Sequence, residues 1–98
     1  MADTRRVVSG RLVVGYNMYY FYVLRSSKDD RLYKGFTKDL ERRLGDHNSG
    51  KVMATRHRKP FKIIYSESFN NKNDAIIREK YFKSFKGGKE LKKIIDRI

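Results

Sequence analysis

A run of seven residues, YYFYVLR at positions 19–25, has no polar face. Its β-branched and aromatic content marks it as a strand. Alternation then places Tyr19, Phe21 and Val23 on one side and Tyr20, Tyr22 and Leu24 on the other. A half-solvated strand would alternate apolar with polar residues. This one must be covered on both sides, or use one face for something other than packing. With 98 residues in all, the chain has room for one small domain around it.

The remaining elements follow from period and punctuation. SSKDD (26–30) supplies turn chemistry, and RLYKGF (31–36) continues as a second strand of a hairpin. A turn centred between Lys28 and Asp29 is expected to set Tyr22 opposite Tyr33 and Tyr20 opposite Gly35. Thr37 or Asp39 can cap a helix running to about Asn48, which the NSG sequence ends with a residue suited to a left-handed C-cap. In that helix Leu40, Leu44 and His47 share one stripe at ~100° per residue, with Arg43 on its edge. Residues 51–62 form a basic loop without a single acidic residue. FKIIYSESF (61–69) reads as a third strand. A second helix carries Ala75, Ile77, Tyr81, Phe82 and Phe85 on its apolar face, and KGGK is expected to break it. A third helix, ELKKIIDRI, turns Leu91, Ile94, Ile95 and Ile98 inward. The order ββαβαα predicts an α+β fold, a small, mainly antiparallel three-stranded sheet flanked by helices. Residues 1–18 are expected to be a poorly ordered extension, and residues 19–98 a single domain.

Charge narrows the partners. Lys and Arg number 24 against 11 acidic residues, a net charge of +13, which points to a polyanion and above all to nucleic acid. The absence of cysteine excludes disulfides and Cys-based zinc sites. No apolar run approaches the ~20 residues of a membrane span. The expectation is a cytoplasmic, soluble domain without membrane contact, monomeric by default.

Several residues could carry chemistry, and each has an ordinary use as well. Tyr22 and Tyr33 could be half-buried packing residues. Arg43 could pair with Asp39 or Asp46, and His47 could complement a helix C-terminus. Glu79 makes a favourable i,i+4 pair with Lys83, although it borders the apolar face beside Ala75. The basic loop, with Lys51, Arg56, Arg58, Lys59 and Lys62, could be a solvated cluster or a phosphate contact. Taken together, the set fits phosphodiester hydrolysis. That reaction needs a group to activate water, positive charge for the developing oxyanions, and commonly a divalent metal. His or Tyr, Arg, and one carboxylate supply these, and no rival motif (P-loop, GxGxxG after a strand, GxSxG or HExxH) is present.

Tyr20-Phe21-Tyr22, Tyr33-Lys34-Gly35 eleven residues on, TKDLERRLGDH, HNSG and the DAIIREKYF helix together resemble the GIY-YIG nuclease family over roughly residues 18–95. The resemblance is strongest to small stand-alone bacterial members, which are similar to the nuclease domains of excision-repair proteins and some homing endonucleases. It implies a metal-dependent endonuclease acting on DNA in preference to RNA, with one Mg²⁺ or Mn²⁺ ion. By position, Tyr22 and Tyr33 match the motif tyrosines that orient or activate water. Gly35 matches the glycine where a side chain would obstruct the site. Arg43 matches the catalytic arginine, with Arg42 facing solvent, His47 the second proton-transfer position, and Glu79 the single metal ligand. Two departures stand out: Tyr20 and Phe21 replace the Gly and Ile of the first motif, and Lys34 replaces a neutral residue. Lys34 is expected to point away from Tyr33 and to add to phosphate binding. The alternative is a non-cleaving nucleic-acid-binding module recruited to partner proteins.

Overall fold

The computed structural model describes residues 18–98, so the expected N-terminal extension lies, except for Met18, outside the described residues. Six elements follow one another: β1 (Tyr19–Ser26), β2 (Leu32–Thr37), α1 (Leu40–Asn48), β3 (Phe61–Phe69), α2 (Lys72–Lys83) and α3 (Phe85–Asp96). The expected α+β order ββαβαα is the one found. Both strand pairings are antiparallel, in the order β2-β1-β3. The strand without a polar face is therefore the central one, and Phe21, Tyr22, Val23 and Leu24 are all buried.

Its two faces meet different neighbours. Phe21 and Val23 join Phe82 of α2 and Leu91 of α3 in the main apolar core. There the Phe21 and Phe82 rings lie 5.0 Å apart, and burial of each such side chain is worth roughly 1.5–3 kcal/mol. On the other face Tyr22 meets α1, through His47.

The hairpin register differs from the expected one. Tyr22 pairs with Gly35, Leu24 with Tyr33 and Tyr20 with Thr37. The turn centre is as expected, but residues equidistant from it are Tyr22 and Gly35, so the expected pairs were displaced by two positions. Because side chains alternate with period two, the displacement leaves every side chain on its expected face.

The junction of α2 and α3 also departs from expectation. KGGK does not break a helix; the break is at Ser84, whose extended backbone ends α2 and whose side chain caps α3 by accepting from Gly87 N. Phe85 consequently belongs to the first turn of α3 and is 81% exposed. Ile77 is 63% exposed because it sits about 200° around the helix from Ala75. Ile98, expected inward, follows the end of α3 and is exposed too. Gly87 is needed for close approach: a Cβ there would lie 1.8 Å from the Tyr81 carbonyl oxygen.

Candidate active site

The α1 helix starts where Asp39 accepts a hydrogen bond from Arg42 N at 3.1 Å. Thr37 acts one step earlier, accepting from Asp39 N at 3.2 Å. The helix ends at Asn48, and Gly50 takes the left-handed conformation at φ +84°. Asn48 brackets the start of β3: its Oδ1 accepts from Phe61 N at 2.6 Å and its Nδ2 donates to Phe61 O at 3.0 Å. This tether fixes the C-terminal turn of α1 over the sheet and, with it, the imidazole of His47.

The residues of the first helix and the hairpin converge on one point. Tyr22 Oη lies 3.1 Å from His47 Nε2 and accepts from Arg43 Nε at 3.3 Å. His47 Nδ1 is 2.7 Å from Thr55 Oγ1. The Tyr33 ring packs on His47 with centroids 4.8 Å apart, and Phe61 lies across the imidazole at 5.8 Å. Gly35 makes room for this assembly. A Cβ on it would stand 2.7 Å from the Tyr22 hydroxyl, and that hydroxyl, held from two sides, cannot easily move away.

Electrostatics follow from burial. His47 is 0% exposed. Desolvation, aided by the Arg43 charge and opposed by Asp46, lowers its pKa to about 4, so the ring is neutral at pH 7. Burial also raises the pKa of Tyr22; the Arg43 hydrogen bond and charge oppose that shift, while Tyr33 and Glu79 add to it. The Glu79 contribution is the smallest of these. Arg43 is held above its ordinary pKa chiefly by the Tyr22 hydrogen bond, with partial burial opposing and Tyr33 contributing.

His47 is fully buried, and its Nε2 faces the Tyr22 hydroxyl. Tyr33, half-buried, is the more open phenol.

The cations divide into two groups. Lys34 faces the α2 side, where its Nζ donates to the Phe82 carbonyl at 2.9 Å, and burial lowers its pKa with help from Lys83. Lys62 pairs with Arg25 and alternates away from Phe61, onto that same far face. Arg58 bridges Asp29 at 2.9 Å and Leu32 O at 3.3 Å, bracing the loop against the hairpin turn. Lys51, Arg56 and Lys59 remain as exposed cations of the loop. Sequence reasoning missed Thr55 and Asn48. Nothing local marks a threonine within a basic loop, or an asparagine at a helix end, as the partner of a histidine or a strand.

For a metal, the relevant group is Glu79, whose side chain is 18% exposed and whose Oε2 accepts from Lys83 Nζ at 3.1 Å. Among the described residues no three or more His, Cys, Asp or Glu side chains cluster as a ligand set. A single carboxylate fits a hard, largely hydrated cation completed by substrate phosphate, as Mg²⁺ prefers, and does not fit a structural zinc.

Fold and site together define a class. A family model described as the GIY-YIG catalytic domain matches residues 18–91, and the chain belongs to the GIY-YIG family. Within it, the chain is similar to small bacterial proteins of the UPF0213 group. It is 50% identical over 68 residues to the UPF0213 protein YsiG of Lactococcus lactis, a match covering 68% of this chain and 64% of that protein, just under two thirds of its length. A UPF0213 protein of Lactiplantibacillus plantarum is 39% identical over 95 residues, covering 94% of this chain and 91% of that protein. The solution NMR structure of a UPF0213 protein from Bacillus halodurans is 32% identical, with a TM-score of 0.49 over 79% of this chain and 84% of that one. Among the described residues no helix is long and apolar enough to cross a membrane.

Proposed function

We propose that the chain is a divalent-metal-dependent endonuclease that hydrolyses phosphodiester bonds of DNA. The observation that carries this reading is the convergence of Tyr22, Tyr33, Arg43 and His47 on one face of the sheet, cleared by Gly35. A packing role alone would not need a guanidinium and a neutral imidazole on the same buried phenol.

In this reading Tyr33 meets the attacking water and orients it toward phosphorus. Tyr22, held by His47 Nε2 and Arg43 Nε, helps orient that water beside Tyr33. Arg43 is fixed through Nε, which leaves its terminal nitrogens to neutralise charge developing on the phosphate oxygens. Glu79 would hold Mg²⁺ or Mn²⁺, which supplies Lewis-acid polarisation of the phosphate and stabilisation of the leaving oxygen. Lys51, Arg56 and Lys59 track the backbone without reading sequence.

The test is cleavage of plasmid and branched DNA by purified protein with Mg²⁺, Mn²⁺ or EDTA, with Glu79→Ala and Arg43→Ala in parallel. Both variants should lose on the order of 10²-fold or more in rate, as for other transition-state electrostatic groups, while still binding DNA. Binding without cleavage on every substrate would replace the nuclease with a binding module. Equal cutting by wild type and variants would mean the activity is not this protein's.

A further inference from the structure

Hydrogen-bond directions around His47 follow from the donor inventory. Arginine has only donors, so the Tyr22 oxygen accepts from Arg43 Nε. The one proton left on Tyr22 is then available for His47 Nε2, 3.1 Å away, which receives it as the unprotonated nitrogen of a neutral ring. The ring proton accordingly sits on Nδ1 and points at Thr55 Oγ1, 2.7 Å away. Thr55 accepts there and can turn its own hydroxyl proton to the Val52 carbonyl at 3.5 Å. Every donor from Arg43 inward has an acceptor.

The opposite tautomer leaves a gap. With the proton on Nε2, the Tyr22 oxygen would face donors from both Arg43 and His47, and its own hydroxyl proton would lose its partner in this cluster. Thr55 would have to donate to Nδ1 and release Val52. His47 and Thr55 are both 0% exposed, so bulk water cannot stand in for either bond.

We infer that Thr55 is a positioning residue, whose hydroxyl holds His47 as the Nδ1–H tautomer and so keeps Nε2 open as the proton acceptor for Tyr22. The loop that carries it is built to hold that hydroxyl in place. Ser27 N donates to Pro60 O at 2.8 Å, the buried Ser26 hydroxyl donates to Arg58 O, and Arg58 reaches back to Asp29. Thr55 N itself closes a turn on Val52 O at 3.1 Å. The basic loop thus has a buried anchor as well as exposed charge. An orienting partner of this kind around a functional histidine is typically worth about 10–100-fold in activity, a scale taken from metal-ligating histidines.

The inference rests on the nuclease reading for its effect on rate, but not for its effect on the ring. Long-range ¹⁵N correlation spectra of histidine-labelled full chain at pH 7 would be recorded for wild type, Thr55→Val and Thr55→Ser. Wild type and Thr55→Ser should show His47 Nδ1 protonated and Nε2 unprotonated, and Thr55→Val should lose that signature. In Mg²⁺-dependent DNA cleavage Thr55→Val should fall about 10–100-fold, with DNA binding unchanged and Thr55→Ser restoring most of the rate. A wild-type spectrum with the proton on Nε2 overturns the inference, and needs no variant to fold. So does a Thr55→Val protein that keeps both the signature and the wild-type rate. If wild type does not cleave at all, the nuclease reading fails, and the spectra still decide what Thr55 does to the ring.

Discussion

Phe21 and Tyr22 are neighbours in one strand and are both buried, yet they face different chemistry. Phe21 looks into a layer of Val23, Phe82 and Leu91, where no hydrogen bond has to be matched. Tyr22 looks into a layer where a phenol, an imidazole and a threonine hydroxyl are each partnered within 3.1 Å. The apolar face can tolerate small shifts in orientation. The polar face cannot, because each unpaired buried group would cost about 1–3 kcal/mol. Most of the apolar packing and most of the candidate chemistry thus lie on opposite sides of a single three-stranded sheet, with Glu79 coming from the helix that covers the apolar side. Arg78 of α2 belongs to the apolar side: it donates to Glu67 at 2.7 and 3.1 Å and lies 4.2 Å over the Phe82 ring.

The largest test of this division is Phe82→Ala. The cavity should remove roughly 3–5 kcal/mol of stability, read as a lower urea midpoint, while molecules that remain folded keep the Tyr22–His47 contact. A loss below about 1 kcal/mol would mean the apolar face is not the main source of stability.

Acid should act on the opposite face. The folded pKa of His47 is about 4, below the ordinary 6.5, so the unfolded chain binds this proton more readily than the folded one. The stability conferred by the neutral ring is therefore complete above about pH 6.5 and is lost as pH falls toward 4, on the order of 3 kcal/mol in all. Thermal melts between pH 7 and pH 4 should show this decline in wild type and a shallower one in His47→Gln. Parallel curves for the two proteins would refute the burial argument.

Gly35→Ala sharpens the comparison with the smallest change of atoms. Its methyl must displace the Tyr22 hydroxyl, and a displacement near 1 Å can lower turnover up to about 10²-fold. Cleavage should therefore fall far more than stability, as measured by rate and by melting temperature on the same preparation. Unchanged cleavage would mean that the Tyr22 position is not critical.

Much of the fold was legible because its determinants are local. Alternation and apolar content marked the central strand, and Asp39 marked the start of α1. The second break was misplaced because Ser84 and Gly87 look alike as punctuation. Only packing against Tyr81 shows that the glycine is a point of close approach inside a helix. Within the candidate site, Tyr22, Tyr33, Arg43 and His47 were singled out from residue type and spacing and Gly35 from the family resemblance, and the fold brings them together. Lys34 points away from Tyr33, as alternation led one to expect, and Lys62 shares that face, while Arg58 pairs with Asp29.

The sequence by itself determined the strand with two apolar faces, the order of the elements, the excess of positive charge and the residue types available for chemistry. These depend on neighbours within a few positions or on composition. Tertiary structure decided the exposure of His47, the partnership with Thr55 and the tether of Asn48 to Phe61. Those properties depend on contacts between residues distant in sequence, such as the 2.7 Å bond from His47 to Thr55 across eight residues and the 3.1 Å bond from Tyr22 to His47 across twenty-five. Hydrogen bonds and desolvation act over a few ångströms in space, and only the folded chain sets that spacing.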